Sequence, residues 1–240
     1  MKRVLLTLLL SALAAAGSAS PARYTVVTVD TSEDQLQLFW GDAAGKPFRG
    51  FAPLNAWLAQ QGRELVFATN AGMYHPDFSP VGLLVIEGRE VSPLNLGKAR
   101  GNFFLKPNGV FLVGPDGPQV VASSEYPALA RGVRIATQSG PLLLRHGRIH
   151  PAFKKDSRSR HIRNGVGVVG NKAIFVISDD PVTFHEFALF MRDELGCRDA
   201  LYLDGSISSL YDKEQGRQDL RGLLGPMIAI TAPLGAQVIR

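Results

Sequence analysis

Apolar runs in this chain are short, and glycine, proline, asparagine or aspartate punctuates them. Runs of about four to eight apolar residues bounded by turn residues read as strands. On that reading strands occupy residues 24–29, 35–39, 65–69, 82–86, 109–113 and 119–122. Residues 142–145 and 148–149 flank His146-Gly147, and residues 166–169 and 173–177 flank Gly170-Asn171. Both pairs carry the signal of a tight hairpin.

Two stretches show helical spacing instead. Residues 51–60 place Phe51, Leu54, Trp57 and Leu58 on one face. Residues 183–195 place Phe184, Phe187, Met191 and Leu195 on another. Thr183 suits the N-cap and Glu186 the third helical position, the arrangement of a capping box. Gly196 then ends the helix. Many strands, one early helix and one late helix predict an α+β fold. The expectation is a large curved mixed β-sheet with a few packed helices, in a single domain over residues 20–240.

The N-terminus lies outside that domain. Lys2 and Arg3 precede an apolar run, and small residues follow at Ser18-Ala19-Ser20. This is the layout of a secretory signal peptide over residues 1–19, and it predicts a periplasmic or secreted protein. No stretch approaches the roughly 18 continuous apolar residues of a membrane span, so stable insertion is not expected. With 45% hydrophobic and 20% charged residues, the chain has a globular composition. The formal charge of +5 includes Lys2 and Arg3. So mild an excess suits an anionic small substrate better than nucleic acid. Cys197, the sole cysteine, has no disulfide partner in the chain and reads as a buried, inert thiol.

Chemistry-bearing residues gather where predicted strands end. An apolar run at 200–203 stops at Asp204-Gly205-Ser206-Ile207-Ser208-Ser209. A strand end is a common place for ligand chemistry, and equally for an Asp that caps a turn. Asn70-Ala71-Gly72-Met73-Tyr74 follows the strand at 65–69, and Gln138-Ser139-Gly140-Pro141 forms a polar turn before residues 142–144. His161-Ile162-Arg163-Asn164-Gly165-Val166-Gly167 opens another strand, where Arg163 can pair bidentately with a phosphate or carboxylate. Lys154, Lys155, Arg158 and Arg160 read as a solvated run, without the aromatic interleaving of a nucleic-acid platform. The five histidines lack paired metal-ligand spacing. Neither a nucleophile elbow nor a phosphate-binding glycine loop is present. No cofactor is therefore called for, and a divalent metal enters only through the alternative given below.

In order, these four segments resemble the phosphodiester glycosidase family, which includes the lysosomal uncovering enzyme. Its Asn-Gly-Gly-Phe-Phe motif is similar to residues 70–74, and its Gly-Gly-Pro turn to Ser139-Gly140-Pro141. Its Pro-Arg-Thr-Ala-Ile-Gly motif resembles residues 162–167, and its Leu-Asp-Gly-Gly-Gly-Ser-Ser motif residues 203–209. The resemblance spans roughly residues 65–230. Ala71, Asn164-Gly165 and Ser206-Ile207 depart from those patterns. With the leader, the departures suggest an exported bacterial branch.

The resemblance implies a hydrolase that cleaves a sugar–phosphate link at the anomeric carbon of a small or polymeric substrate. It implies that Asp204 acts as nucleophile, stabiliser or base, and that Arg163 holds the phosphate. Asn70, Gly72, Gln138, Ser139, Gly140, His161, Gly205, Ser206 and Ser208 would line the substrate site. The sequence does not place a second carboxylate; Glu186, Asp179 and Asp180 are open. Two alternatives stand beside this reading: a non-catalytic envelope module that binds carbohydrate or sugar phosphate, and a metal-dependent phosphodiesterase.

Overall fold

Alternation of side chains decides what each strand covers. The computed structural model describes residues 22–236, so the expected leader lies outside the described residues. In chain order the first strands are β1 (Tyr24–Asp30), β2 (Gln37–Phe39), β3 (Arg63–Asn70), β4 (Leu84–Ile86), β5 (Arg89–Ser92), β6 (Gly109–Gly114), β7 (Gly117–Ala122) and β8 (Ile135–Ser139). There follow β9 (Leu142–Arg145), β10 (Arg148–Ile149), β11 (Asn164–Val169), β12 (Lys172–Ser178), β13 (Asp199–Tyr202), β14 (Leu210–Asp212), β15 (Arg217–Gln218) and β16 (Met227–Pro233). Helix α1 (Phe51–Ala59) precedes β3, and α2 (Phe184–Leu189) precedes β13. The single-domain α+β expectation holds.

The strands divide among three sheets. Their orders are β1-β12-β11-β13-β9-β10, β15-β14-β3-β16-β2 and β5-β4-β8-β6-β7. Every ladder between them is antiparallel. Short turns such as Gly170-Asn171 can join only antiparallel neighbours, whereas parallel pairing needs a long crossover.

One face of each sheet meets the others in a common core. Phe67 of β3, Phe175 of β12 and Phe111 of β6 come from the three different sheets. Their ring centroids lie 5.2 Å apart for Phe67–Phe175 and 5.9 Å for Phe111–Phe175. Alternation then turns the next residues outward. Ala173, Phe175 and Ile177 of β12 face this core, while Ile174 and Val176 pack with Phe187 and Met191 beneath α2. Likewise Ile228 and Ile230 of β16 face inward, and Met227 and Ala229 pack with Phe51, Leu54 and Leu58 of α1.

The late helix follows its local signals. Thr183 accepts from the Glu186 N–H while the Glu186 side chain accepts from the Thr183 N–H, completing the capping box. After Leu189 the chain widens into a π-turn, Phe190–Glu194, and Gly196 leaves it with φ +69°. Cys197 is buried against Gly167 and Met191, and burial pushes its thiol up to about 11, as an inert thiol requires.

Candidate active site

Three strand ends meet at the seam between the sheets. Antiparallel pairing of β11 with β13 sets Gly165 opposite Tyr202, so the start of β11 lies beside the end of β13. Leu203 donates its N–H to Asn164 O at 3.1 Å. The end of β3 arrives from the second sheet, where Asp204 donates its N–H to Ala71 O at 3.1 Å. The third sheet joins through Gly72, whose N–H donates to Thr137 Oγ1 at 3.1 Å.

Two buried asparagines lock this junction. Asn70 donates from Nδ2 to Asp204 O at 2.8 Å, and its Oδ1 accepts from Ser209 N and Asn164 Nδ2, both at 2.9 Å. Ser208 Oγ donates to Asn164 Oδ1 at 3.0 Å. Asn70, Asn164 and Ser208 are buried, so their polar atoms are spent on the loop at 204–209. Asn70 and Ser208, expected from the sequence at the substrate site, act here as internal clamps.

The clamped loop presents Asp204. Its carboxylate accepts from Ser206 N at 3.2 Å and so caps the short 3₁₀ turn Gly205–Ile207. The residue is only 9% exposed, and burial raises its pKa above the usual carboxylate value. No arginine, lysine or histidine among the described residues pairs with it within 4.0 Å. Nearby, burial and then the Asp204 charge raise the Tyr74 phenol.

A pocket of about 380 Å³ opens over this carboxylate. Asp204, Gly205 and Ser206 form one wall, Met73, Tyr74 and His75 a second, and the loop at 100–104 a third. Asp204 is the sole carboxylate in the lining; Arg100 and His75 are exposed and supply N–H donors. The other acids considered from sequence are engaged elsewhere. Glu186 holds Thr183 and Arg160, Asp179 holds Arg217, and Asp180 holds Arg23.

Arg163 lies behind the pocket, not in it. It is 2% exposed. Nε donates to Val182 O at 2.9 Å, and the terminal nitrogens donate to Ser159 O at 3.0 Å and Tyr202 Oη at 3.3 Å. Its guanidinium carbon sits 3.7 Å from the Phe184 ring centroid. A desolvated cation over an aromatic face gains about 2 kcal/mol. Burial lowers the Arg163 pKa, yet a guanidinium stays charged at neutral pH. Neutral acceptors and Phe184 enclose the Arg163 guanidinium, which the sequence reading placed on the phosphate. Its link to the site runs through Tyr202, whose hydroxyl abuts Gly205.

The remaining expected contacts fall into supporting positions. Gln138 and Ser139 belong to β8 instead of a turn. The Gln138 amide is saturated: Oε1 accepts from Leu83 N and Asn95 N, and Nε2 donates to Asn95 O and Ser123 Oγ. Ser139 is fully buried, and its Oγ has no hydrogen-bond partner among the described residues. Gly140 packs against Asn108 and the Phe103 carbonyl, and Gly72 against the Gln138 carbonyl. The His161 backbone pairs with Val182 and the residue is exposed outside the pocket. Gly205 and Ser206 do line it. Sequence reasoning missed Arg100, Asn102, His75 and Tyr202. The one available signal was the polar, glycine-broken stretch Lys98-Ala99-Arg100-Gly101-Asn102. No group of three or more His, Cys, Asp or Glu placed to hold a metal occurs among the described residues.

Residues 63–219 match the profile of the family described as phosphodiester glycosidase. The chain belongs to the phosphodiester glycosidase family. It is 35% identical over 188 residues to YigE, an uncharacterised protein of Escherichia coli (strain K12), covering 78% of this chain and 73% of YigE. Its fold resembles the catalytic domain of zebrafish N-acetylglucosamine-1-phosphodiester alpha-N-acetylglucosaminidase, a domain auto-inhibited by its pro-peptide. There the TM-score is 0.61, at 13% identity over 90% of this chain and 84% of that one. A hypothetical protein from Synechocystis gives a TM-score of 0.54, with 16% identity over 89% of this chain and 60% of that one. In this phosphodiester glycosidase fold, no helix among the described residues is long and apolar enough to cross a membrane.

Proposed function

We propose that this protein hydrolyses a glycosyl phosphodiester at the anomeric carbon, in the pocket over Asp204, after export to the periplasm or the exterior. The observation that carries this reading is the pocket lining, which one buried carboxylate shares with Arg100 and His75. An ordinary glycosidase uses two carboxyl groups, one of them to protonate the leaving oxygen. A phosphate monoester leaves without such help, since its second pKa is about 6. One carboxylate in the same pocket as a cation suits that leaving group.

In the proposed reaction the bond between the anomeric carbon and the phosphate oxygen breaks, and the phosphate monoester departs with the electron pair. Asp204 acts on the sugar side, as nucleophile or as base for the attacking water, and stabilises the developing oxocarbenium charge. Arg100 and His75 donate to the phosphate oxygens. Arg163 and Tyr202 hold the Gly205 backbone in place. Hydrolysis in water labelled with heavy oxygen tests the reading. Label is expected in the released sugar. Label in the phosphate would replace it with P–O cleavage, and binding without turnover would make the protein a carbohydrate module.

A further inference from the structure

A second cavity, of about 600 Å³, opens beside the hairpin of β9 and β10. Its lining contains Arg145, Arg148, Arg198, His146 and His150 and no carboxylate. Three guanidiniums around one concavity would repel each other unless held and neutralised, so the supports decide what the cavity can do.

Arg145 is the held one. It donates to Asp199 Oδ1 at 3.0 Å and to Glu125 Oε2 at 2.6 Å, both outside the lining. His146 and Gly147 turn the hairpin with φ +50° and +77°. Asp199 Oδ1 also accepts from His146 N at 2.9 Å, and Gly147 N donates to Arg198 O at 2.7 Å. The hairpin is thus tied to the segment that carries Arg198. Arg148 and Arg198 are exposed, and neither has a carboxylate within 4.0 Å among the described residues. His150 is buried with both ring nitrogens occupied, by Lys106 O at 3.0 Å and Ala152 N at 3.2 Å, and burial lowers its pKa. It is therefore a neutral part of the floor.

We propose that this cavity binds the phosphate group of an organic phosphate, at a site separate from the Asp204 pocket. Two uncompensated guanidinium forks match the oxygens of a phosphate, and bidentate pairing favours it over a point-like anion. The volume exceeds a bare ion, and Pro107, Leu142, Ile149 and Pro151 give the organic part an apolar wall. Pro107 closes the segment whose start, residues 100–104, walls the Asp204 pocket.

The test is binding, so it stands whether or not the hydrolase reading holds. Glucose 6-phosphate, inorganic phosphate and glucose are titrated by calorimetry into the full chain, its R148S/R198S variant and its R100S variant. Glucose 6-phosphate should bind the parent, bind more weakly at higher salt, and lose at least about tenfold in affinity in R148S/R198S, a loss equivalent to about 1.4 kcal/mol and larger than any in R100S. Inorganic phosphate should bind less tightly and glucose not measurably. Both changed arginines are exposed, so R148S/R198S should melt with the parent. Unchanged affinity in R148S/R198S, loss in R100S alone, or no binding to the parent at millimolar ligand would each overturn the proposal.

Discussion

The hydroxyl of Tyr202 fills the space that a side chain at position 205 would need. A Cβ built on Gly205 lies 1.4 Å from Tyr202 Oη and 2.3 Å from Cζ. The same hydroxyl accepts from Arg163 at 3.3 Å. A buried cation, a phenol and the backbone next to Asp204 are thus stacked in direct contact.

Gly205→Ala should therefore cost activity through position alone. Either the phenol leaves Arg163 or the Asp204 turn lifts. Folded Gly205→Ala is expected to keep less than about a tenth of the parent kcat/KM, since misplacement of about 1 Å can cost 10²-fold. Tyr202→Phe should not rescue it, because the ring carbon Cζ still clashes at 2.3 Å. Full activity in folded Gly205→Ala would show that the contact does not position the loop.

Asp204→Asn should separate function from stability. Removing one charge from the reacting centre should lower kcat at least about 10²-fold. Burial raises the Asp204 pKa, so the folded state binds this proton more tightly than the unfolded chain does. Its contribution to stability is then greatest at low pH and declines as pH rises from about 4 through the folded pKa. At pH 7 the amide removes that cost, so Asp204→Asn should melt no lower than the parent. In the parent, activity should fall with acid at a pH above that of an ordinary aspartate.

Asn70→Ala should show the opposite pattern, with stability lost first. It strips Ser209 N and Asp204 O of their buried partner, while Asn164 Nδ2 keeps Thr69 Oγ1. Each unpaired buried group costs about 1–3 kcal/mol. Denaturant unfolding should register a larger loss than for Asp204→Asn, with activity falling alongside it. A parent-like midpoint would remove the clamp role.

What could be read in the sequence was local. Thr183 with Glu186, the Gly196 stop and the hairpin at Gly170-Asn171 all act within a few residues, and the structure has them where their spacing implied. The seam depends on partners far apart in the chain. Asn70 meets Asp204 across 134 residues, and Asn164 meets Asn70 across 94. Nothing near Gln138 reveals that its amide is consumed by Leu83, Asn95 and Ser123, up to 55 residues away. The division into three sheets has the same origin, because β16 returns from the end of the chain to pair with β3. Arg100 escaped notice because a loop residue has no periodicity to betray it.

Export is a proposal that rests on the leader-like pattern of residues 1–19, and N-terminal sequencing of protein from the producing cell checks it. The mature chain should begin near Ser20. An intact Met1 on cytoplasmic protein would remove the periplasmic or secreted assignment.

Arg100 and Arg163 should fail in different ways. Arg100 is exposed in the pocket lining. Arg100→Ala should leave the melting temperature unchanged and raise KM, because a phosphate contact is made in the ground state as well as the transition state. Arg163 donates to three neutral acceptors, two of them buried, and rests on Phe184. Arg163→Ala removes those bonds and the stacked cation together, so it should lower stability by several times the roughly 1 kcal/mol of a single hydrogen bond. Arg163→Lys keeps the charge without the planar fork and should recover only part of that loss. If Arg163→Ala instead melts like the parent and raises KM alone, Arg163 reaches the phosphate directly, and the positioning role through Tyr202 is wrong.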